Sequence, residues 1–296
     1  MTKASLDMTK KSKAARLRQL IAQGSVMLPG VPNAGMARQV ERAGFDAVYV
    51  SGAGMANATA GVPDIGLLSM AEIVTLAGYV AHAVTIPAIV DADTGFGGAE
   101  NVARTIRELE AAGLAGCHIE DQEFPKRCGH LAGKSIVDVE EMVAKIKAAV
   151  AVRRDPDFMI IARTDARAVE DFDRTVDRAR RYMEAGADAL FPEALQSAEE
   201  FRDFASKIDL PLLANMTEFG KSPLLSFTDL AGFGYRMVIF PQSAFRVSMK
   251  ASEEFLRALK TSGTQKEWLD EMQTREELYK LLDYDPTAEK WLGLSD

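Results

Sequence analysis

The sequence lacks several features that define large classes of protein. Only two of its 296 residues are cysteine, which excludes a disulfide-rich scaffold and favours a reducing, cytoplasmic location. Basic residues are not in excess: 35 Lys and Arg stand against 43 Asp and Glu, a net charge of −8, so we expect no nucleic-acid partner. No run of ~18 apolar residues is present, and no apolar segment follows the basic N-terminus. We therefore expect no membrane partner and no secretory signal.

Apolar residues are plentiful and follow a repeated pattern. They make up 47 % of the chain, which is enough for a large core and excludes a disordered or fibrous protein. A helix end, a glycine and a short apolar strand recur at residues 41–50, 110–119 and 183–192, and more weakly at 231–240. The glycines of the first three copies lie about 70 residues apart, twice the ~35 residues of one strand–helix unit.

A second set of apolar strands falls between these copies. Residues 26–28, 87–91, 158–163 and 211–215 are short and continuously apolar, as expected of strands buried on both faces. Together the two sets predict eight strand–helix units, an α/β fold of the (β/α)₈ TIM-barrel type. The alternative is an open doubly wound sheet, which is less favoured because no Gly-x-Gly-x-x-Gly follows the first strand. We expect one domain over 1–296, with the barrel at about 20–242 and additional C-terminal helices at about 243–296.

The carboxyl ends of the predicted strands are rich in ionisable residues, and active sites of barrels lie at that end. Asp91 and Asp93 are two positions apart and can point the same way, and Glu120 follows the next strand. Hard oxygen ligands suit Mg²⁺ or Mn²⁺, and the histidines lack the spacing of a zinc site. The alternative is a helix-capping Asp, which would explain one of these carboxylates. The strand ends also hold Tyr49, Ser51, His118, Asp121, Arg163, Asp165, Glu193, Asn215 and Thr217.

Cys128 lies in a polar loop between Lys126, Arg127 and Gly129. Neighbouring cations lower the pKa of a thiol, so we expect a usable acid or base, and the loop glycines would let it close as a lid. The alternative is an exposed loop with an incidental cysteine. By contrast, Cys117 and His82 are interpreted as buried structural residues.

Three further features are candidate anion sites. The run 51–54, Ser-Gly-Ala-Gly, could offer backbone N–H groups to a carboxylate, although such runs are also common turns. Arg163 and Arg246 are candidate carboxylate clamps, although a lone arginine is usually a solvated charge.

Four motifs taken together resemble the isocitrate lyase/phosphoenolpyruvate mutase superfamily. They are Ser-Gly-Ala-Gly at 51–54, Asp-Ala-Asp-Thr-Gly-Phe-Gly at 91–97, His-Ile-Glu-Asp-Gln at 118–122 and Lys-Arg-Cys-Gly-His at 126–130. Segments at 191–194, 213–220, 243–246 and 263–279 also match, so the resemblance covers nearly the whole chain except the first ~15 residues. Within the superfamily, the chain most resembles the branch that cleaves 2-methylisocitrate to pyruvate and succinate in the methylcitrate cycle of propionate catabolism.

The resemblance implies roles for individual residues. Asp91 and Asp93 would hold Mg²⁺ (Mn²⁺ is possible), with Asp64 and Glu120 acting through its water molecules. Tyr49 would help to deprotonate the substrate hydroxyl, Arg163 would orient the pyruvate half, and Cys128 would protonate the succinate carbanion. The residues expected to bind the substrate carboxylates are Ser51, Gly52, Ala53, Gly129, His130, Glu193, Asn215, Thr217 and Arg246; Ala53 stands where the family often has glycine.

Alternatives remain within and outside this family. Isocitrate lyases, dimethylmalate lyases and oxaloacetate hydrolases share the cysteine motif, whereas phosphoenolpyruvate mutase has Asn in place of its Cys-Gly-His run. Phe191 suggests an apolar pocket for the substrate methyl group, which is worth only ~1–3 kcal/mol of selectivity. A non-catalytic binding barrel is the alternative from another class. The resemblance further implies C-terminal helices swapped between subunits and a homo-oligomer, a dimer of dimers.

Overall fold

Eight parallel strands close into a barrel in the computed structural model, which describes residues 12–130 and 133–287. Each strand pairs with the next along the chain, and β1 pairs with β8 with Val26 opposite Met237. The outer parts of the predicted domain, residues 1–11 and 288–296, lie outside the described residues. The strands are β1 Val26–Val31, β2 Val48–Val50, β3 Ala88–Asp91, β4 Gly116–Glu120, β5 Met159–Thr164, β6 Ala189–Pro192, β7 Leu212–Asn215 and β8 Tyr235–Phe240.

Helices alternate with the strands, which confirms the predicted (β/α)₈ fold. They are α1 Lys13–Gln23, α2 Ala34–Arg42, α3 Gly52–Met55, α4 Met70–Ala83, α5 Ala99–Ala111, α6 Val139–Val152, α7 Phe172–Glu184, α8 Ala198–Lys207, α9 Phe227–Phe233, α10 Ser243–Ser262 and α11 Arg275–Leu281. A π-helical turn, Ala56–Ala60, extends α3, and 3₁₀ turns occur at Ala166–Ala168 and Lys266–Glu271. Among the described residues, no helix is both long and apolar enough to cross a membrane.

Strand alternation decides which side chains enter the barrel, because successive residues of a strand point to opposite faces. On β4, Cys117 and Ile119 pack outward against the helices. Ile89 of β3 and Phe191 of β6 pack in the cluster inside the barrel. Leu17 of α1 covers the lower end of this cluster. Polar residues of the same inward parity continue β2 to β7 beyond this apolar core. The fold therefore gathers a ring of polar side chains at the carboxyl end of the barrel.

Two predictions about single residues have different outcomes. Cys117 is fully buried in the core between strands and helices, as predicted. The prediction that His82 is buried is wrong, because it lies near the end of α4 on the solvent face. Its Nδ1 is 2.7 Å from the carbonyl oxygen of Gly78, so the imidazole closes the last turn of the helix locally.

The additional helices predicted after β8 are present and lie on the outside of the barrel. α10 has 20 residues and none of them is buried. Its apolar side chains Val247, Met249 and Leu256 are each more than half exposed. At its end, Phe255 packs edge-on against Trp268 with ring centroids 5.6 Å apart. α10 thus presents apolar side chains that the rest of the described chain does not cover.

Candidate active site

Three carboxylates predicted to take part in metal binding lie around one lysine. Lys126 Nζ is 2.6 Å from Asp93 Oδ1 and also forms an ion pair with Asp64. Burial lowers the pKa of Lys126, but Asp93, Glu120 and Asp64 outweigh it and hold that pKa well above its usual value. Asp91 lies beside Asp93 and accepts a hydrogen bond at 2.9 Å from the Asp93 backbone N–H. Asp93 adopts a left-handed backbone conformation with φ of 46°.

Glu120 is the fourth predicted metal-site residue and the least satisfied. It is fully buried, and neither of its carboxylate oxygens has a hydrogen-bond partner among the described residues. Burial raises its pKa well above the usual value, and its carboxylate forms an ion pair with Arg163 Nη1 at 3.3 Å. An orphaned buried carboxylate is costly unless a cation or a proton satisfies it.

The donor set therefore fits a divalent cation, although the residues are not arranged as a finished site. In the part of the chain that the structure describes, no three His, Cys, Asp or Glu side chains converge as metal ligands. Lys126 supplies the positive charge between the carboxylates instead. Hard oxygen atoms from Asp91, Asp93 and Glu120 are the donors that Mg²⁺ and Mn²⁺ prefer.

We call the four side chains Asp64, Asp91, Asp93 and Glu120 together the carboxylate group. Tyr49 and His118 lie next to it inside the barrel. The Tyr49 hydroxyl is 2.9 Å from His118 Nε2 and 3.5 Å from Asp91 Oδ2. Burial, together with the charge of Asp91, raises the pKa of Tyr49 well above 10, so its hydroxyl is neutral at physiological pH. Burial also lowers the pKa of His118 to about 4, so the imidazole is neutral as well.

Arg163 occupies the middle of the ring and contacts carboxylates on three strands. Its Nε is 2.9 Å from Asp165 Oδ2, and Nη2 is 3.4 Å from Glu193 Oε2. Although burial opposes it, the charges of Asp165, Glu120 and Glu193 raise the pKa of Arg163 well above its usual value. The guanidinium lies 5.1 Å from the ring centre of Phe191, which fills the floor beneath it.

Glu193 joins the ring to the loop that contains Cys128. His130 Nε2 is 2.8 Å from Glu193 Oε1, and Asn215 Nδ2 is 3.2 Å from Oε2. His130 Nδ1 accepts a hydrogen bond from the Lys221 backbone N–H at 2.9 Å. Since Nδ1 is an acceptor, Nε2 carries a proton toward Glu193. Burial opposes ionisation, but Arg163 and His130 hold the pKa of Glu193 far below its usual value.

The Cys128 loop, residues 122–130 and 133–136, is folded over the ring. A Cβ added at Gly129 would lie 2.6 Å from Glu193 Cγ and would also clash with the Arg163 guanidinium. The loop backbone therefore touches both side chains at a point where only glycine fits. We call this arrangement the closed loop.

The sequence prediction about the reactivity of Cys128 is wrong in direction. Lys126 and Arg127 do not lower the pKa of its thiol, because Lys126 turns inward to Asp64 and Asp93. Burial raises the pKa of Cys128, and the hydrogen bond from the His130 backbone N–H opposes this only in part. The sulfur is therefore a protonated thiol at neutral pH.

The predicted backbone anion site lies at the start of α3. Ser51 Oγ accepts a hydrogen bond from the Gly54 N–H at 3.1 Å, so the hydroxyl caps the helix. Gly52 packs against Asp91, whose Oδ2 would lie 2.7 Å from a Cβ at this position. The run 51–53 therefore borders the carboxylate group directly.

Arg246 and Thr217 lie at the rim of the ring, on the opposite side from the carboxylate group. Arg246 Nη1 is 2.6 Å from Glu218 Oε2 and 3.5 Å from Thr217 Oγ1. Its guanidinium also lies 5.5 Å from the ring centre of Phe219, which is almost fully exposed. Glu218 further contacts Ser243, the first residue of α10.

The ring contains residues that the sequence patterns did not indicate. Lys134 lies under the closed loop, where Nζ contacts Asp165 Oδ1 at 2.5 Å, and Glu218 pairs with Arg246. Both lie in loops beyond the strand ends, where strand parity gives no signal. Asp121, by contrast, is structural: it accepts hydrogen bonds at 2.8 Å from Thr164 Oγ1 and from the Tyr182 hydroxyl.

A side cavity of about 580 Å³ reaches this site between α5 and α6. Asp93, Lys126 and Gln122, all buried, line its inner part, and the exposed Phe124 lies at its outer side. Asp93 and Lys126 therefore face a cavity that opens at the flank of the barrel and that the Cys128 loop partly lines.

Comparison with known proteins agrees with this geometry. The family model for phosphoenolpyruvate phosphomutase matches residues 17–260. The chain is similar to 2-methylisocitrate lyase of Aeropyrum pernix, with 52 % identity over 269 residues that cover 90 % of this chain and 86 % of that protein. It is also similar to the solved structure of 2,3-dimethylmalate lyase, a PEP mutase/isocitrate lyase superfamily member, with a TM-score of 0.88, 36 % identity and 92 % of each chain covered. A structure of phosphonopyruvate hydrolase complexed with oxalate and Mg²⁺ matches with a TM-score of 0.84 and 31 % identity over 92 % of this chain and 95 % of that one.

These similarities extend over both the barrel and the loops at its carboxyl end. They confirm the prediction, made from the four motifs, of an enzyme with this fold. The chain belongs to the phosphoenolpyruvate mutase/isocitrate lyase family.

Proposed function

We propose that this enzyme is a carbon–carbon lyase that cleaves 2-methylisocitrate to pyruvate and succinate. The main supporting observation is the closed loop: it holds Cys128 over a buried ring that contains Arg163, Glu193 and the carboxylate group. The relative from Aeropyrum pernix, which is 52 % identical, has the name of this activity. Isocitrate, 2,3-dimethylmalate and oxaloacetate are the alternative substrates, since they undergo related chemistry.

The reaction needs a base at one end of the breaking bond and an acid at the other. Removal of the substrate hydroxyl proton lets a C=O bond form in pyruvate while the C–C electron pair leaves on the succinate carbon. Tyr49, hydrogen-bonded to His118, would relay the hydroxyl proton to that imidazole, because its own phenol is already protonated. Cys128 supplies the proton that the succinate carbanion takes up, and its raised pKa keeps that proton on sulfur until it is needed.

Charge balance supports a divalent cation, Mg²⁺ or Mn²⁺, held by Asp91 and Asp93 with Asp64 and Glu120 nearby. The buried ring has more carboxylates than cationic groups, and a tricarboxylate substrate would increase this excess. When bound, the cation stabilises negative charge that develops on substrate oxygen. Arg163 orients the pyruvate half, and the 51–53 backbone lies where it can bind its carboxylate.

The rim residues would bind the succinate half. Arg246, Thr217 and Asn215 offer donors on the side of the ring opposite to the carboxylate group, with Glu193, Gly129 and His130 between the two halves. Arg246 is paired with Glu218 in this structure and can exchange that partner for a substrate carboxylate. Phe191 is fully buried beneath Arg163, so a substrate methyl group would pack against its ring only after Arg163 moves aside.

We also propose that the enzyme is a helix-swapped homodimer that pairs into a tetramer. α10 has no buried residue, and its apolar side chains at Val247, Met249 and Leu256 need a cover. Light scattering should give a multiple of the 32.2 kDa chain mass. A stable monomer at micromolar concentration would contradict the swapped assembly.

We further propose a reducing, cytoplasmic compartment, since both cysteines are free.

A substrate panel tests the proposed activity. Pyruvate release is measured from 2-methylisocitrate and 2,3-dimethylmalate, glyoxylate release from isocitrate, and oxalate release from oxaloacetate, each with Mg²⁺. We expect the highest kcat/KM with 2-methylisocitrate. A higher value for another member of the panel would move the assignment to that substrate, whereas no turnover of any of them would contradict the proposed reaction class.

A further inference from the structure

Lys134 is a buried cation that the roles proposed above do not use. Its side chain is 1 % exposed, and its Nζ contacts the Gly129 carbonyl oxygen and, at 2.5 Å, Asp165 Oδ1. A buried ammonium is tolerated only where such partners compensate for lost hydration. One of these partners belongs to the tip of the Cys128 loop, and the other belongs to the barrel.

Asp165 connects this lysine to the centre of the ring. The carboxylate is fully buried, and its two oxygens also accept hydrogen bonds from Arg163, at 2.9 Å from Nε and 3.2 Å from Nη2. Lys134 and Arg163 therefore share one carboxylate. Gly129 lies directly against the same guanidinium, so Lys134, Asp165, Arg163 and Gly129 form a closed set of contacts.

The base of the loop is held by other groups. Gln122 pairs with Ile136 in an antiparallel bridge, and its side-chain amide makes two hydrogen bonds, at 2.8 and 2.9 Å, with the Arg127 backbone. These contacts fix where the loop leaves and re-enters the barrel. They do not reach Gly129, which Lys134 contacts from below.

We propose that Lys134 is a positioning residue that holds the tip of the Cys128 loop closed against Arg163 and Glu193. This inference rests on the proposed function in one respect, that Cys128 acts in the reaction. Loss of the Lys134 ammonium would leave the Gly129 carbonyl without this donor and Asp165 with Arg163 alone. The loop would then open more often, and the thiol would be exposed to solvent and misplaced for proton transfer.

The test compares Lys134→Met and Lys134→Gln with Lys145→Met. Lys145 is a matched control because it is also buried, but its ion pair, with Glu141 at 3.1 Å, lies within α6 on the wall of the flank cavity and not at the loop tip. Cys128 labelling by iodoacetamide is followed by peptide mass spectrometry in the full-length enzyme without substrate. Thermal melting checks that each variant is folded.

We expect Lys134→Met to label at least about tenfold faster than wild type and to lose about 10- to 100-fold in kcat with a smaller change in KM. Lys134→Gln can still donate a hydrogen bond to the Gly129 carbonyl, so its labelling rate and kcat should lie between those of Lys134→Met and wild type. Lys145→Met should match wild type in both. Unchanged labelling in folded Lys134→Met would overturn the proposal. Failure of both Lys134 variants to fold would also overturn it, because the residue would then hold the whole barrel.

This design separates the inference from the proposed activity. Labelling is measured without substrate, so it reports on the loop whatever the enzyme cleaves. If the wild-type enzyme does not cleave 2-methylisocitrate but the Lys134 variants still label faster than wild type, the proposed function is overturned and the role of Lys134 in closing the loop stands.

Discussion

The hydroxyl of Tyr49 lies 2.9 Å from Nε2 of His118, and both side chains are buried inside the barrel. Their rings are nearly parallel, with centroids 5.8 Å apart, and Phe191 meets His118 edge-on. Packing therefore fixes the hydroxyl beside Asp91, where it has a neutral partner able to take up a proton. In the proposed reaction, this pair would carry out the first proton transfer.

Replacing Tyr49 by Phe should remove that transfer and keep the packing. We expect kcat to fall by at least about 100-fold, within the range that acid–base groups contribute, while the thermal melt changes little. Tyr235→Phe is the matched control: this hydroxyl is also buried but bonds only weakly, at 3.3 Å, to the Phe201 carbonyl oxygen, outside the ring. It should lose about 1 kcal/mol of stability and retain kcat. Steady-state kinetics showing equal losses in both variants would contradict a role for Tyr49.

Replacing Cys128 by Ser should give a folded enzyme with very little turnover. A serine hydroxyl has a far higher pKa than the ~8.5 of an ordinary thiol and is a poor acid near neutral pH, so we expect kcat to fall by several orders of magnitude. Cys117→Ala, in the barrel wall, should retain activity per folded molecule. Cys128→Ser that retains more than about a tenth of wild-type kcat, a barrier change of only ~1.4 kcal/mol, would exclude Cys128 as the proton donor.

The pH dependence of Cys128 labelling tests the environment of the thiol. Burial raises its pKa, so less thiolate is present at pH 8 than in an ordinary cysteine. Iodoacetamide labelling should therefore be slow at pH 8, and its rate should continue to rise with pH beyond the ordinary thiol midpoint of ~8.5. Cys117, which is fully buried, should label more slowly still. A midpoint below that of a free thiol would support the cation effect expected from the sequence and contradict the buried loop.

The sequence alone was sufficient to predict the barrel and the polar ring. The apolar strands are separated by amphipathic helices at regular intervals, and residues such as Tyr49, His118 and Arg163 follow from strand parity. Both signals are local, because they depend only on spacing along the chain.

Contacts made by the loops could not be predicted in the same way. The sequence pattern predicts that Lys126 activates Cys128, yet Lys126 contacts Asp64, 62 residues away in sequence. Lys134 likewise contacts Asp165, because the path of the loop brings residues that are distant in sequence together. The raised pKa of Cys128 follows from burial, which an irregular, charged segment does not reveal. Roles assigned by resemblance name the residues, but they do not give these partners.

Removal of divalent metal should abolish activity and reduce stability. Carboxylates at Asp91, Asp93 and Glu120 lie close together in a buried ring, so a bound cation should stabilise the fold as well as the reaction. EDTA-treated enzyme should be inactive and should recover with Mg²⁺ or Mn²⁺. At about 100 times the dissociation constant, Mg²⁺ should add about 2.7 kcal/mol of stability, visible as a higher melting temperature. Full activity after exhaustive chelation, or a melt insensitive to Mg²⁺ in wild type, would contradict the site.

Gly129→Ala should separate closure of the loop from the stability of the barrel. The new methyl group would lie 2.6 Å from Glu193 Cγ and would press on the Arg163 guanidinium, so the loop could not close fully. Because the clash is confined to the loop tip, the loop can move away without disturbing the core. We expect a loss of at least about tenfold in kcat, faster labelling of Cys128 and little change in melting temperature.

Gly232→Ala provides the matched control for that substitution. Gly232 lies within α9, and nothing lies within 4 Å of a Cβ added there, so alanine should stabilise the helix by about 0.5–1 kcal/mol and leave kcat unchanged. If Gly129→Ala keeps wild-type kcat and labelling, the contact between the loop and the ring is not needed for catalysis. If it instead unfolds the protein, the loop supports the barrel. The closed-loop interpretation requires the remaining result, a folded enzyme with an accessible thiol and slow turnover.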